Sequence, residues 1–132
     1  MNYPRVPRTM AVVLVLLFLP MLPACRHGDR PPLGRVTGTV TLDGQALAGA
    51  SVVFQPQGAR TSRGITDEAG RYELIYLRDI HGAVLGDHRV RIVTADEENT
   101  EERLPARYNR ETTLGAKVKP GKNSFDFKLH SD

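Results

Sequence analysis

Residues 36–54 have the sequence Val36-Thr-Gly-Thr-Val-Thr-Leu-Asp-Gly-Gln-Ala-Leu-Ala-Gly-Ala-Ser-Val-Val-Phe54, in which apolar and polar residues alternate on both sides of an Asp-Gly pair. Alternation with a period of two predicts strands that bury one face. The Asp43-Gly44 pair favours a tight turn, because both residues tolerate a positive φ. We therefore expect two antiparallel strands whose shared apolar face is covered by a second sheet.

Similar short segments follow along the rest of the chain, separated by turn residues such as Gly, Pro and Asp. The alternating segments are Ser62–Thr66, Arg71–Leu77, His88–Thr94, Thr113–Lys119 and Ser124–Leu129. No segment has the apolar period of a helix. About seven short strands with regular turn signals predict an all-β fold, a seven-stranded antiparallel β-sandwich of the prealbumin-like or Ig-like kind, over residues 35–130.

Several segments carry specific expectations about side chains. In His88–Thr94 the alternation turns Val90 and Ile92 inward and Arg89 and Arg91 outward, and Leu47, Ala50 and Val52 are expected to fill the core. Within Arg71–Leu77, the alternation places Tyr72, Leu74 and Tyr76 together on the core face. Residues 104–109 have no clear period, and we expect an extended connector there.

The charge balance argues against a nucleic-acid partner. The chain has 18 Lys and Arg and 15 Asp and Glu. Arg5 and Arg8 precede Cys25 and no acid does, so the remainder has 16 basic against 15 acidic residues. The two signs are interspersed, and no basic stripe of the kind that binds nucleic acid is present in the sequence.

The N-terminus has the pattern of an export signal. Arg5 and Arg8 precede an apolar run from Met10 to Leu19, which at about ten residues is too short to span a bilayer and is typical of a secretory signal peptide. The run ends in Leu22-Pro23-Ala24-Cys25, which resembles the lipobox of bacterial lipoproteins, although Pro23 is an unusual choice there. We expect a signal peptide over 1–24 and a lipidated Cys25 with a flexible tether over 25–34.

The resemblance to lipoproteins implies a membrane partner. Cys25 is the single cysteine of the chain, and after cleavage it would carry a diacylglyceryl group and a further acyl chain such as palmitate. Two or more acyl chains anchor a protein stably where one does not. The resemblance further implies a location at the cell membrane or, since Arg26 is not Asp, the outer membrane, with the domain facing the periplasm or the exterior.

Three stretches together resemble the carboxypeptidase regulatory-like domains, which have a prealbumin-like (transthyretin-like) sandwich. They are residues 36–54, Thr66-Asp-Glu-Ala-Gly-Arg-Tyr-Glu-Leu74 and Gly86-Asp-His-Arg-Val-Arg-Ile92, with Ala46 where the family usually has Pro. The whole chain is similar to short lipoproteins of planctomycete-type bacteria. The resemblance implies a stable accessory module with no chemistry of its own.

The residues themselves also favour a protein that is not an enzyme. The only cysteine is the expected anchor, and no Gly-x-Ser-x-Gly motif occurs. His81 and His88 flank Asp87, and we expect both histidines to be exposed. No compact Cys and His spacing predicts a metal site, and no cofactor is expected. The acidic segment Ala95–Arg103 is interpreted as a solvated, mobile loop rather than a calcium site.

The sequence therefore predicts an envelope module with a structural or protein-interaction role, whose partner is an envelope protein or polysaccharide. The alternative is a module that binds carbohydrate or another small ligand. For that alternative, the best cluster is Tyr108 with Arg107 and Arg110, beside Asn109; the chain has no Trp. Three coplanar exposed aromatic rings would favour sugar binding, whereas a Tyr108 packed under the acidic loop would not.

Overall fold

The computed structural model describes Asn2, Pro4 and residues 30–132, so the expected signal peptide, Cys25 and the first part of the tether lie outside the described residues. In the described part, no helix is long and apolar enough to cross a membrane. The first strand begins at Leu33, two residues before the expected boundary. The strands are β1 (Leu33–Leu42), β2 (Gln45–Ala46), β3 (Ser51–Pro56), β4 (Ser62–Ile65), β5 (Arg71–Glu73), β6 (Ile75–Leu77), β7 (Ile80–His81), β8 (Ala83–Val84), β9 (Gly86–Val93), β10 (Gly115–Val118), β11 (Gly121–Ser124) and β12 (Phe127–Leu129).

These strands form two sheets packed face to face, which confirms the predicted all-β sandwich. In the first sheet, β1 pairs with five shorter strands: β2, β5, β8, β11 and β12. In the second sheet the order is β10-β9-β3-β4-β6-β7, and all neighbours are antiparallel. Every other strand of the first sheet therefore pairs with the long strand β1. In the second sheet, β3 and β9 are central strands.

The C-terminal strands β11 and β12 pair with β1 in parallel, one after the other along its length. The ladder is interrupted between them, where the Asp126 carboxylate accepts hydrogen bonds from the Thr39 backbone N–H at 2.9 Å and its hydroxyl at 3.0 Å. Alternation along one strand specifies which face is buried but not the direction of a partner, so this parallel pairing was not predicted.

The expected hairpin between residues 36–42 and 50–54 is wrong. The Asp43-Gly44 turn does form, with φ of 52° and 81°, but it pairs β1 only with the two-residue strand β2. The chain then crosses to the second sheet, where β3 pairs with β4 and β9. Because β1 and β3 each have one apolar face, placing them in opposite sheets buries both faces against each other.

The segment Arg71–Leu77 is not one strand, which is a second correction. It divides at Leu74 into β5, which pairs with β1, and β6, which pairs with β4 and β7. Tyr72 and Leu74 are buried as expected, but Tyr76 is only partly buried and Leu77 is exposed. The change of sheet at Leu74 interrupts the alternation, and Tyr76 is not part of the buried core cluster.

The core lies between the sheets and includes Leu47, Ala50 and Val52, as the sequence predicted. Gly38 of β1 allows the closest backbone approach in this core. A Cβ atom at Gly38 would overlap the carbonyl oxygen of Phe125, so only glycine fits there without a shift of the backbone. The cluster consists of Val36, Val40, Leu47, Ala50, Val52, Phe54, Tyr72, Leu74, Ala83, Val90, Ile92, Leu104, Tyr108, Val118 and Leu129.

Candidate functional site

Cys25, the residue expected to carry lipid, lies outside the described residues. The structure therefore places the sandwich that follows it, beginning at Leu33, and not the anchor.

The Tyr108 cluster is engaged in holding the C-terminal tail. Residues Ala106–Tyr108 form a short 3₁₀ helix, where an extended connector was expected. Tyr108 ends this helix and is only 8% exposed. Its hydroxyl accepts a hydrogen bond from the His130 N–H at 2.9 Å. The Arg107 guanidinium lies 4.8 Å from the ring centroid and donates to the carbonyl oxygens of His130 and Asp132.

This arrangement leaves little of the Tyr108 ring open to a sugar. Tyr72 is also buried, and Tyr76 is partly buried with the Arg60 guanidinium 5.9 Å from its ring centroid. Residues 30–132 thus contain no trio of coplanar exposed aromatic rings. Of the three residues expected to contact a ligand, Arg107 is hydrogen-bonded within the chain, Tyr108 is buried and Arg110 is exposed.

The histidines are not brought together. His81 is exposed, and its Nδ1 lies 2.9 Å from Glu73. His88 is only 4% exposed, so the expectation that it is exposed is wrong. Strand β9 begins at Gly86, which puts His88 in phase with the buried Val90 and turns Asp87 to the opposite face.

The His88 ring is held in the core by two contacts. Its Nε2 lies 2.6 Å from the Val84 carbonyl oxygen, and its centroid lies 5.6 Å from that of Phe54. Since a carbonyl oxygen only accepts, Nε2 carries the proton of this hydrogen bond. Nδ1 is buried with no partner among the described residues. His88 is therefore a packed core residue, and it forms no acid–base pair with Asp87.

The acidic segment is anchored at one point. The Glu102 carboxylate accepts hydrogen bonds from the Thr94 N–H at 3.0 Å, the Ala95 N–H at 3.2 Å and the Leu104 N–H at 3.0 Å. Burial raises the pKa of Glu102, but these hydrogen bonds and that of the Thr94 hydroxyl outweigh it and leave the pKa below its ordinary value. Glu102 is therefore a structural residue, which corrects the view of the whole segment as solvated.

Metal ligands are not assembled in the described part of the chain. There, no group of three or more His, Cys, Asp and Glu side chains is placed to hold a metal ion. Asp96 instead accepts hydrogen bonds from the backbone N–H groups of Glu98 at 3.0 Å and Asn99 at 2.6 Å. These bonds fold the acidic segment onto itself.

A different surface, the outer face of the second sheet, was not singled out by the sequence. Residues directly opposite each other on antiparallel strands share a face. The register places Arg91, Val53, Arg63 and Ile75 in one row across β9, β3, β4 and β6. Neighbouring strands are about 4.8 Å apart, so this row is roughly 14 Å wide.

Shorter rows lie on either side of this central row. Val93, Ser51 and Ile65 form one of them, and Arg89 and Gln55 form the other. We call this surface of nine residues the arginine face. The members are Arg91, Val53, Arg63, Ile75, Val93, Ser51, Ile65, Arg89 and Gln55.

The arginines of this face have no acidic partner among the described residues. The ion pairs of that part of the chain join Arg35, Arg71 and His81 to carboxylates, and none includes Arg63, Arg89 or Arg91. The Nε atom of Arg91 is enclosed without a hydrogen-bond partner in the same part of the chain. Buried donors are normally paired in proteins, so this Nε–H is a donor that the described residues leave unsatisfied.

The arginine face also exposes apolar side chains. Ile65 is 68% exposed, and Leu77, next to the face on β6, is 37% exposed. Two concavities of about 710 Å³ and 410 Å³ meet at Arg63 and Ile65, which border both. The first extends to Leu77 and the second to Arg91. Together they make a shallow trough across the sheet that is lined by arginine and aliphatic side chains.

Two further arginines extend the cationic side of the trough. Arg60 and Arg78 border the first concavity, and neither is paired with a described carboxylate. Glu73 also borders it but is held by Arg35, whose hydrogen bond lowers the pKa of Glu73.

The acids near the face lie mainly on its β9 side. They are Asp87, Asp96 and Glu97, with Asp79 in the turn between β6 and β7.

Part of the arginine face is indicated by the sequence. Alternation in His88–Thr94 predicted that Arg89 and Arg91 point outward, and the structure agrees. Arg63 and Ile65 alternate with the buried Ser62 and Gly64 in the same way. What the sequence did not contain is the order of strands, which brings these separate residues onto one surface.

Comparisons with known proteins give partial structural likenesses at low sequence identity. No family model matches the chain, and no curated protein matches it. A DUF3823 family protein from Parabacteroides merdae ATCC 43184 is similar over 75% of this chain and 46% of its own length, with 16% identity and a TM-score of 0.47. A 9R-lipoxygenase from Cyanothece PCC8801 is similar over 77% of this chain and 17% of its own, with 19% identity and a TM-score of 0.38. At these scores neither likeness assigns the chain a family or an activity.

Proposed function

We propose that this chain is a lipid-anchored module of the cell envelope, with a structural or protein-interaction role and no catalysis. The observation that carries the proposal is the position of the single cysteine. Cys25 directly follows Leu22-Pro23-Ala24 at the end of a short apolar run. A thioether-linked lipid needs a cysteine at this point and nowhere else. The expected location is the cell membrane or outer membrane, with the domain facing the periplasm or the exterior.

The position of the first strand supports a domain held close to the membrane. Leu33, where β1 begins, lies eight positions after Cys25. An extended chain spans at most about 3.6 Å per residue, so this tether reaches no more than about 29 Å. The sandwich is therefore kept within roughly its own diameter of the lipid.

The family assignment is part of the same proposal. We infer a carboxypeptidase regulatory-like sandwich, of the kind found in planctomycete-type lipoproteins, from the three stretches quoted above. Two turns in the stretches that carry the resemblance support this assignment. Asp43-Gly44 makes a turn with both φ angles positive, and the Asp67 carboxylate accepts the N–H groups of Ala69 and Arg71, both at 2.9 Å. The Asp67 carboxylate thus serves its own turn, whereas the Asp43 carboxylate accepts the N–H of Ser131 at 3.0 Å and its hydroxyl at 2.6 Å.

An interaction role is supported by the arginine face. Guanidinium groups without a carboxylate partner, set beside exposed aliphatic side chains, are typical of surfaces that contact another molecule. The alternative of sugar binding at Tyr108 has no comparable support, because that ring is covered by Arg107.

Mass spectrometry of the membrane-extracted protein tests the anchor. We expect a chain that begins at Cys25 and carries the mass of a diacylglyceryl group and an acyl chain. The variant Cys25→Ser should lose that mass and leave the membrane fraction, whereas the matched tether variant His27→Ser should retain both. A native chain with an unmodified Cys25 thiol would refute the proposal.

A further inference from the structure

We propose that the arginine face rests on the anionic lipid headgroups of the membrane in which Cys25 is anchored. This inference rests on the proposed lipid anchor and adds the orientation of the domain and the chemistry of its partner. The lipid phosphate is the group recognised, and the side of the face formed by β4, β6 and β7 makes the contact.

Charge complementarity is the first argument. Arg60, Arg63 and Arg78 lie on this side without a described acidic partner, and the nearby acid Glu73 is already held by Arg35 and His81. Guanidinium groups bind phosphate oxygens in a bidentate manner and are more weakly hydrated than ammonium groups. Cationic side chains close to an anionic membrane each add to its attraction for the protein.

The exposed aliphatic side chains favour a lipid over another polyanion. Ile65 is 68% exposed and Leu77 is 37% exposed, and both border the concavity lined by these arginines. A lipid surface offers an apolar layer just below its phosphates, so it accommodates both kinds of side chain. An acidic polysaccharide offers charge but no such layer, and would leave Ile65 in water.

The path of the chain brings the tether to the same edge of the sheet. Ile75 of the arginine face pairs with His81 of the edge strand β7, and one residue, Gly82, separates β7 from β8. Strand β8 in turn pairs with Leu33 and Gly34, the first residues of β1. The tether thus enters the sandwich within a few residues of the arginine face. A short tether attached there allows this face to reach the lipid. The end of β10 lies at the same point, since a Cβ atom on Gly34 would approach Val118 to 2.9 Å, so the distribution of charge selects which side of the face makes the contact.

The acids also fit this orientation. Asp87, Asp96 and Glu97 lie on the β9 side of the face, away from β7. An anionic surface would repel that side and attract the β4–β6–β7 side. The domain is therefore expected to tilt so that Ile65 and Leu77 approach the membrane. Four acids lie between the strands of the contacting side. Asp67 and Glu73 are paired with Arg71 and Arg35, and Glu68 and Asp79 have no ion-pair partner among residues 30–132.

The test uses the lipidated full chain reconstituted into vesicles. In Ile65→Cys the introduced cysteine is the only free thiol if Cys25 is acylated, so it can be labelled with an environment-sensitive fluorophore. The matched control is Lys128→Cys on β12, an exposed position of the first sheet. We expect a blue shift at position 65, and not at 128, when phosphatidylglycerol is added to phosphatidylcholine vesicles. The response should weaken at high salt.

Charge reversal provides the second comparison. The double variant Arg60→Glu and Arg63→Glu in the labelled protein should lose the blue shift. Reversal of Lys122 and Lys128, exposed on the first sheet, should leave it unchanged. Circular dichroism of each variant establishes that the sandwich is folded.

The outcomes separate this inference from the proposed anchor. A protein that floats with pure phosphatidylcholine vesicles but shows no shift at position 65 when phosphatidylglycerol is added retains the anchor and overturns the inference. A protein that does not float lacks the anchor. Adding Cys25→Ser to Ile65→Cys then leaves position 65 as the single thiol, and its response to anionic vesicles decides whether the face binds lipid. A larger shift with soluble polygalacturonate than with anionic vesicles would make the partner an acidic polysaccharide and overturn the assignment to lipid.

Discussion

Gly38→Ala should destabilise the sandwich strongly, although it adds one methyl group to a strand. The new Cβ would overlap the carbonyl oxygen of Phe125 and lie 2.7 Å from its carbonyl carbon and 2.9 Å from the Tyr72 hydroxyl. Ordinary contacts between carbon atoms are about 3.5–4.0 Å. The backbone at Phe125 would therefore have to retreat by about 1 Å, because a main-chain carbonyl cannot rotate away as a flexible side chain can.

The cost can be worked out from the contacts that this shift disturbs. The Phe125 carbonyl accepts the Tyr72 hydroxyl at 2.6 Å, and the Phe125 N–H donates to Thr37 at 2.9 Å. Each hydrogen bond contributes about 1 kcal/mol net, and overpacking adds about 1–3 kcal/mol. We expect a loss of about 3–5 kcal/mol from an unfolding free energy of about 5–15 kcal/mol.

Urea unfolding of the full chain in mild detergent, followed by far-ultraviolet circular dichroism, measures this loss. A matched control is Gly115→Ala in β10, whose Cβ would meet only the His88 carbonyl oxygen at 3.5 Å, an ordinary contact. That control should change the unfolding free energy by less than about 1 kcal/mol. If Gly38→Ala and Gly115→Ala have equal stability, the close approach of β1 to Phe125 is refuted.

Two further predictions concern hydrogen bonds of the described chain. Tyr72→Phe removes the buried hydroxyl that donates to Phe125 and should lower the unfolding free energy by about 1 kcal/mol in the same urea assay; an unchanged midpoint would contradict that bond. Glu102→Gln should cost about 1–2 kcal/mol at neutral pH, because the carboxylate accepts N–H groups of Thr94 and Leu104. The pKa of Glu102 in the folded protein lies below its ordinary value of 4.5, so its contribution to stability is complete above that pH and is lost as the pH falls through the folded pKa. Stability measured from pH 7 to pH 3 should therefore fall less in Glu102→Gln than in the native protein, and parallel curves would count against the role of Glu102.

Local features were predicted well wherever neighbouring residues decide them. The turn at Asp43-Gly44 forms because these two residues accept positive φ in any context. Val90 and Ile92 are buried because β9 alternates along its own length. Leu47, Ala50 and Val52 fill the core for the same reason. In each case the pattern and its physical cause lie within a few residues.

Errors arose where one segment belongs to two sheets or where a strand begins earlier than its pattern indicates. Tyr76 follows Tyr72 by four residues, but Leu74 carries the chain from the first sheet to the second between them. His88 was expected to be exposed because it was placed at a strand start, whereas β9 already begins at Gly86. Histidine occurs in both buried and exposed positions, so the residue type did not decide whether His88 is buried.

The arginine face shows the same contrast between features set by neighbouring residues and features set by the packing of distant segments. Residues adjacent in the chain specify that it alternates as a β protein, where it turns, and that its single cysteine directly follows a short apolar run and Leu22-Pro23-Ala24. They do not specify that β1 and β3 lie in opposite sheets across the core, or that Arg63 lies between Val53 and Ile75 on one surface. Strand order and register depend on packing between segments far apart in sequence, where many pairings satisfy the same alternation and only the closely packed core selects one.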